Sequence, residues 1–180
     1  MCRETQSLNQ YGGNAENNLM QHVEIFTDGG CLGNPGRGGY GAILACGDHR
    51  RELSGGYQQT TNNRMELLAC IVALEALKFS CTVTVYSDSK YVVDGVSKGW
   101  AAKWKRNNWK RSGGDRAENV DLWERLLSLI EKHQVKFQWV KGHNGHQENE
   151  RCDQLATEAA NGSGLLQDAG YTARHSPVLM

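Results

Sequence analysis

An α/β fold is predicted, built on a five-stranded mixed sheet of three antiparallel hairpin-linked strands plus two parallel ones, flanked by helices. Residues 23–59 hold three consecutive short runs of strand character joined by tight turns. From Asn63 the apolar spacing lengthens from a two-residue to a helical period. Beyond that point, β-branched runs alternate with amphipathic ones, as crossover connections between parallel strands require.

The first strand is VEIFTDG at residues 23–29, where Val23, Ile25 and Thr27 alternate with Glu24 and Phe26 before a glycine turn. GGYGAILAC gives the second and RRELSGGYQQ a weaker third, with a tight hairpin at Gly47-Asp48. Met65, Leu68, Ala69, Val72, Leu74 and Leu77 then define a helix ending near Phe79. TVTVYSDS is a β-branched strand, expected to be central and buried on both faces. A short helix follows at residues 90–96 and an amphipathic one at 119–132, with Val120, Trp123, Leu126, Leu127 and Ile130 inward. VKFQWV forms the last strand, and a helix then runs through Ala160. The predicted order is β-β-β-α-β-α-α-β-α.

Three units are expected along the chain: a flexible polar arm at residues 1–20, a folded domain at 21–160, and a tail at 161–180 without clear periodicity. At 180 residues one domain has length enough for a proper core. Lys+Arg and Asp+Glu both number 20, so the net charge is zero and indiscriminate binding to nucleic acid is not expected. No run spans a bilayer, and the first residues lack the apolar stretch of a signal peptide, which indicates a soluble, cytoplasmic protein. The 6 cysteines stand singly with no CxxC pair, which argues against zinc ribbons and redox motifs and for free thiols.

Asp28 ends the first strand, Asp88 ends the central one, and Glu66 lies in the first turns of a helix beside Met65 and Leu67. Each alone reads more readily as a turn former or a helix-start residue than as a ligand. Together, on neighbouring strands, they would repel one another without a cation. Hard oxygen donors of this kind suit Mg²⁺ or Mn²⁺, and a carboxylate-held metal pair serves in-line phosphoryl transfer.

KWKRNNWKR at residues 103–111 concentrates positive charge in a neutral chain and reads as a phosphate-tracking patch. If the segment is helical, Trp100 and Trp104 pack inward while Lys105, Arg106 and, further on, Lys110 face solvent. CLGNPGRGGYG and QTTNNRME add Asn34, Thr61, Asn62 and Asn63, polar groups able to meet sugars, base edges and phosphates, with glycines that permit close backbone approach to a ligand. As isolated motifs these are ordinary turn formers. The cluster KGHNGHQENERCD at residues 141–153 could on its residues alone be a zinc site, a catalytic loop or a polar lead into a helix.

Taken in order, TDGGCLGNPGRGGYGAI, TTNNRMELLA, SDSKYV, NVDLWERL and WVKGHNGHQENERCDQLA closely resemble bacterial ribonuclease H of type I, from about Val23 to Ala160. The resemblance implies an RNase H-like fold over residues 21–160 and a metal-dependent endonuclease. Such enzymes cut the RNA strand of RNA/DNA hybrids to 5′-phosphate and 3′-hydroxyl ends by a two-metal-ion mechanism. It implies Mg²⁺, with Mn²⁺ able to substitute, and two ions with substrate bound, held by Asp28, Glu66, Asp88 and Asp153. The mobile-loop histidine of the family falls on His143. The same resemblance places RNA 2′-hydroxyl contacts at Cys31, Asn34 and Asn62, and DNA contacts at Thr61 and Asn63. The basic protrusion that grips the hybrid falls on Trp100, Trp104, Lys105, Arg106 and Lys110. Discriminating RNA from DNA requires reading the 2′-hydroxyl and groove shape, with little regard for sequence.

A monomer is expected. Two departures stand out: Gly30 occupies a position where Ser is common, and a Gly-Gly break at residues 113–114 interrupts the protrusion. The alternative function is a hybrid-binding module without catalysis. Such a module would usually have lost a metal ligand, and all four carboxylates are present. Within residues 141–153 the zinc reading then gives way to His143 as proton carrier, Asp153 as metal ligand, His146 as loop anchor and Cys152 as buried thiol.

Overall fold

The computed structural model describes residues 21–142 and 146–175. The strands are β1 (His22–Leu32), β2 (Gly36–Cys46), β3 (His49–Thr60), β4 (Thr82–Ser87) and β5 (Gln134–Trp139). They lie in the order β3-β2-β1-β4-β5. β1 pairs antiparallel with β2 and β2 with β3, whereas β1–β4 and β4–β5 are parallel. This is the mixed sheet predicted. The β2–β3 hairpin turns on two residues, since Cys46 pairs with His49 and Gly47 takes a φ of 56°.

The helices are α1 (Asn62–Glu75), α2 (Lys90–Ser97), α3 (Trp100–Arg106), α4 (Val120–Ile130), α5 (Gln147–Asn161) and α6 (Ala169–His175). Among the described residues no helix is long and apolar enough to cross a membrane. The larger core joins Val23, Ile25, Ala42, Val83 and Val85 of the sheet to Met65, Leu67, Ile71 and Leu74 of α1 and to Trp123 and Leu126 of α4. A smaller one lies on the α5 side, where Phe26 and Ile43 meet Cys152 and Leu155.

Several expectations change. β4 is not buried on both faces: Val83, Val85 and Ser87 are buried, whereas Thr82, Thr84 and Tyr86 are only partly so. α5 packs chiefly on β1, β2 and β3, and of β4 only Tyr86 reaches its apolar cluster. Tyr86 meets that open side by stacking on Phe26, with ring centroids 4.9 Å apart. The glycines of β2 serve packing more than ligand approach. A β-carbon on Gly39 or Gly41 would collide with the backbone carbonyls of Ala156 or Cys152, so their absence lets α5 lie directly on the sheet. α1 ends at Glu75, and Phe79 beyond it is 78% exposed.

α3 and α6 were absent from the predicted order. On α3 the inward face falls on Ala101 and Trp104: Ala101 is buried, and Trp104 meets Trp123 edge-on at 6.1 Å. Trp100 does not pack inward. It is 42% exposed, with the Lys98 ammonium 5.0 Å above its ring.

Candidate active site

β1 and β4 run parallel and adjacent, so Asp28 and Asp88, one residue beyond the paired Thr27 and Ser87, leave the sheet side by side. Glu66 arrives from α1. What lets α1 come close enough is Gly29, where any β-carbon would collide with the backbone of Met65 and Glu66. One carboxylate oxygen from each of Asp28, Glu66 and Asp88 lies within 4.8 Å of the other two.

The electrostatics of this cluster are those of crowded like charges. Asp28 is pushed up to about 7, first by burial and then by the charges of Asp88 and Asp153, with the Gly29 N–H, 2.7 Å from Asp28 Oδ1, opposing the rise. Glu66 is raised well above its ordinary value by burial and by Asp28 and Asp88. Its Oε2 is buried and has no hydrogen-bond partner among the described residues. A buried carboxylate oxygen without a donor is costly unless a cation completes it. The donors are all hard oxygens, so the residues present fit Mg²⁺ or Mn²⁺ and not zinc.

Asp153 projects from the second turn of α5, near enough to raise Asp28 electrostatically but outside the three-carboxylate cluster. His143 lies outside the described residues. His146, just before α5, rests against Phe26 and Tyr86, with ring centroids 5.6 and 6.2 Å away. Cys152 is buried, and its thiol points at the Phe26 carbonyl, 3.3 Å away.

The polar residues gather at one rim. Asn34, in the β1–β2 turn, accepts the Asn62 backbone N–H through Oδ1 at 3.1 Å, which ties that turn to the start of α1. Thr61 is the N-cap of α1 and makes no side-chain cap bond, so its hydroxyl is not engaged in capping. Asn63 is in the first turn, and Cys31 is partly buried near the end of β1. Trp104, Lys105 and Arg106 lie on α3, and Lys110 follows in a bridge to Arg116. Lys105 is held only loosely, 3.8 Å from Glu131 on the surface.

Sequence reasoning missed a buried ionic knot beside that rim. Arg64, 2% exposed on α1, grips Asp168 through Nε at 2.6 Å and Nη2 at 2.8 Å, and Asp121 through Nη1 at 2.9 Å and Nη2 at 2.7 Å. Thr60 Oγ1 and the Tyr171 N–H also donate to Asp168. Leu166 meanwhile exchanges backbone bonds with β3 at Gly56 and Gln58. The segment after α5 is thereby docked on the sheet edge and on α1. A signal was available: an arginine at an apolar-facing position of NNRMELLA needs a buried partner.

Gly29 gives a direct test of the packing. Gly29→Ala is expected to force α1 away from β1, at a cost of about 1–3 kcal/mol in denaturant melts. Gly30→Ala, where an added β-carbon meets nothing within 4 Å, is expected to be neutral in the same melts.

The sequence model of the RNase H family matches residues 20–161. A ribonuclease H of Syntrophus aciditrophicus is 57% identical over 160 residues, spanning 89% of this chain and 92% of that protein. One of Aeromonas salmonicida is 51% identical over 153 residues, 85% of this chain and 99% of its own. Among solved structures, LC9-RNase H1, described as a type 1 RNase H with the type 2 active-site motif, superposes with a TM-score of 0.71 at 34% identity. That match covers 88% of this chain and 82% of the other. The chain therefore belongs to the RNase H family of nucleases, in its bacterial type I branch.

Proposed function

We propose that this protein is an endonuclease acting on RNA/DNA hybrids, hydrolysing the RNA strand to 5′-phosphate and 3′-hydroxyl ends. Family membership supports the reaction class. The observation that carries the rest is the meeting of Asp28, Glu66 and Asp88 with Glu66 Oε2 buried and partnerless among the described residues. A purely structural surface has no reason to hold three like charges in this way.

In this reading Asp28, Glu66, Asp88 and Asp153 hold two Mg²⁺ ions when substrate is bound, with Mn²⁺ able to replace them. Bound there, the ions supply charge stabilisation at the phosphate and activation of water. The protein supplies position. Gly29 sets the α1–β1 approach that fixes Glu66 against Asp28, and the Gly29 N–H orients the Asp28 carboxylate. Water's oxygen bonds to phosphorus and gives up a proton to solvent as the P–O3′ bond breaks, and protonated His143 delivers a proton to the departing 3′-oxygen.

Cys31, Asn34 and Asn62 read RNA 2′-hydroxyls, while Thr61 and Asn63 contact the DNA strand. Trp100, Trp104, Lys105, Arg106 and Lys110 grip the backbone, with Trp100 contributing from its exposed position. The chemistry belongs to residues 21–160, in a monomeric cytoplasmic protein with no membrane partner, and residues 1–20 are dispensable for it.

The test compares labelled RNA/DNA hybrid, RNA duplex and DNA duplex, each with magnesium and with EDTA. Only the hybrid is expected to be cut, in its RNA strand and only with magnesium. Tight hybrid binding without cleavage under any metal condition would favour a binding module instead.

A further inference from the structure

The turn that carries Asp88 is held from outside its own strand. β4 and β5 pair as far as Ser87 and Trp139, and the Val140 N–H to the Ser87 carbonyl, at 3.0 Å, is the last backbone bond between them. Asp88 lies one residue beyond, where none of the described strands faces its carbonyl. The Trp139 indole fills that role: Nε1 donates to the Asp88 carbonyl oxygen at 3.0 Å.

Burial does not explain this tryptophan. Trp139 is 44% exposed, at the end of an edge strand. The Lys90 ammonium lies 5.1 Å from the ring centroid, so the first residue of α2 packs over the indole that holds the preceding turn. Three residues on, Gly142 lies against the Asp88 carboxylate, where a β-carbon would collide with Oδ2. Residues 139–142 thus border Asp88 at both its backbone and its side chain.

The bonds inside the turn do a different job. The Ser89 N–H donates to Ser87 Oγ at 3.1 Å, and the Val92 N–H donates to Ser89 Oγ at 3.4 Å. These set the shape of the turn and start α2. Both lie within residues 87–92 and reach neither β1 nor α1. Among the described residues, the hydrogen bond that crosses from β5 to Asp88 is the indole's.

We propose that Trp139 is a positioning residue for the reaction: its indole N–H holds the Asp88 backbone so that the carboxylate keeps its place in the three-carboxylate cluster. The inference rests on the reading of Asp88 as a metal ligand. Trp139 acts through Asp88 and needs no contact with substrate.

Trp139→Phe tests it, because the variant keeps an aromatic ring near Lys90 while the indole donor is lost. Mg²⁺ affinity without substrate is measured by calorimetry, alongside steady-state hybrid cleavage and melting in EDTA. Affinity is expected to weaken about three- to tenfold, as for loss of a hydrogen bond behind a metal ligand. The cleavage rate should fall at low Mg²⁺ and recover at high Mg²⁺, with KM for the hybrid and the metal-free melting temperature unchanged. A Mg²⁺ affinity equal to that of the natural protein overturns the proposal, as does a raised KM at unchanged Mg²⁺ affinity. Hydrogen exchange of the Trp139 indole N–H in the unsubstituted protein is an independent measure. It should slow on Mg²⁺ saturation, and an unchanged rate counts against the proposal. If the unsubstituted protein bound no Mg²⁺ at all, the metal-site reading itself would fail, an outcome distinct from the other two.

Discussion

Asp28→Asn is expected to abolish hybrid cleavage, by roughly 10³-fold or more, while making the metal-free protein more stable. Asparagine keeps the shape of the side chain and an oxygen to accept the Gly29 N–H, but it removes one anionic ligand from the cluster. Hybrid binding, proposed to rest on the polar rim and the basic segment, should be largely retained. The stability gain follows from the same crowding that makes the site suit a cation. Burial, Asp88 and Asp153 together hold Asp28 at about 7 against an ordinary value of 3.8.

A folded-state value above the unfolded one means that the native protein holds this proton more tightly. The contribution of Asp28 to stability is complete below about 3.8 and is lost as pH rises through about 7. The asparagine side chain of the variant does not titrate, so its advantage should be small near pH 4 and largest above pH 7. It should reach about 1–3 kcal/mol, less than the full shift because Asp28 is partly solvated. Melting in EDTA from pH 4 to 8 measures it. Equal melting temperatures at pH 8 would mean that the carboxylates are not under the strain described.

The second large effect is at Arg64. Arg64→Ala is expected to destabilise the protein by about 3–5 kcal/mol, because it leaves a buried carboxylate without its counter-charge. Burial alone would raise Asp168, but hydrogen bonds from Arg64, Thr60 and the Tyr171 N–H more than reverse this and hold it below its ordinary value. That stabilisation is present at neutral pH and lost as pH falls through the depressed value. Asp168→Ala should cost less, since Arg64 retains its paired bonds to Asp121. Either change frees the segment after α5 from the start of α1, where Thr61, Asn62 and Asn63 lie. Weaker hybrid binding should therefore accompany the lower melting temperature. Denaturant melts together with KM measurements check both, and an Arg64→Ala protein of unchanged stability would contradict the role given to the knot.

Much of this molecule is legible in its sequence where local pattern and tertiary structure agree. Alternation marked β1, the Gly47-Asp48 turn fixed the β2–β3 hairpin, and the parallel pair β1–β4 follows from the crossover through α1. Asp28 and Asp88 could be paired in advance because parallel neighbours end at the same edge. Less legible was anything decided by which surface a helix covers. TVTVYS reads as doubly buried, yet α5 lies chiefly on β1, β2 and β3 and leaves Thr82 and Thr84 part-exposed. Trp100 shares a helical face with Trp104 by spacing, but the small Ala101 takes the inward position. The β2 glycines look like ligand-approach residues until α5 is seen lying on them. α6 has too little apolar character to announce itself, since a buried charge pair holds its segment in place. The Trp139 indole bond joins the end of one strand to the turn after another, a relation no local pattern records.

Cleavage started by metal alone tests the central claim most directly. A hybrid carrying a 5′-labelled RNA strand is bound to the protein in EDTA, and excess Mg²⁺ is then added. The RNA is expected to stay intact until Mg²⁺ arrives and then to be cut internally, leaving 3′-hydroxyl ends while the DNA strand survives. RNA cleavage in EDTA, or an intact RNA strand after Mg²⁺ addition to the bound complex, would contradict the account.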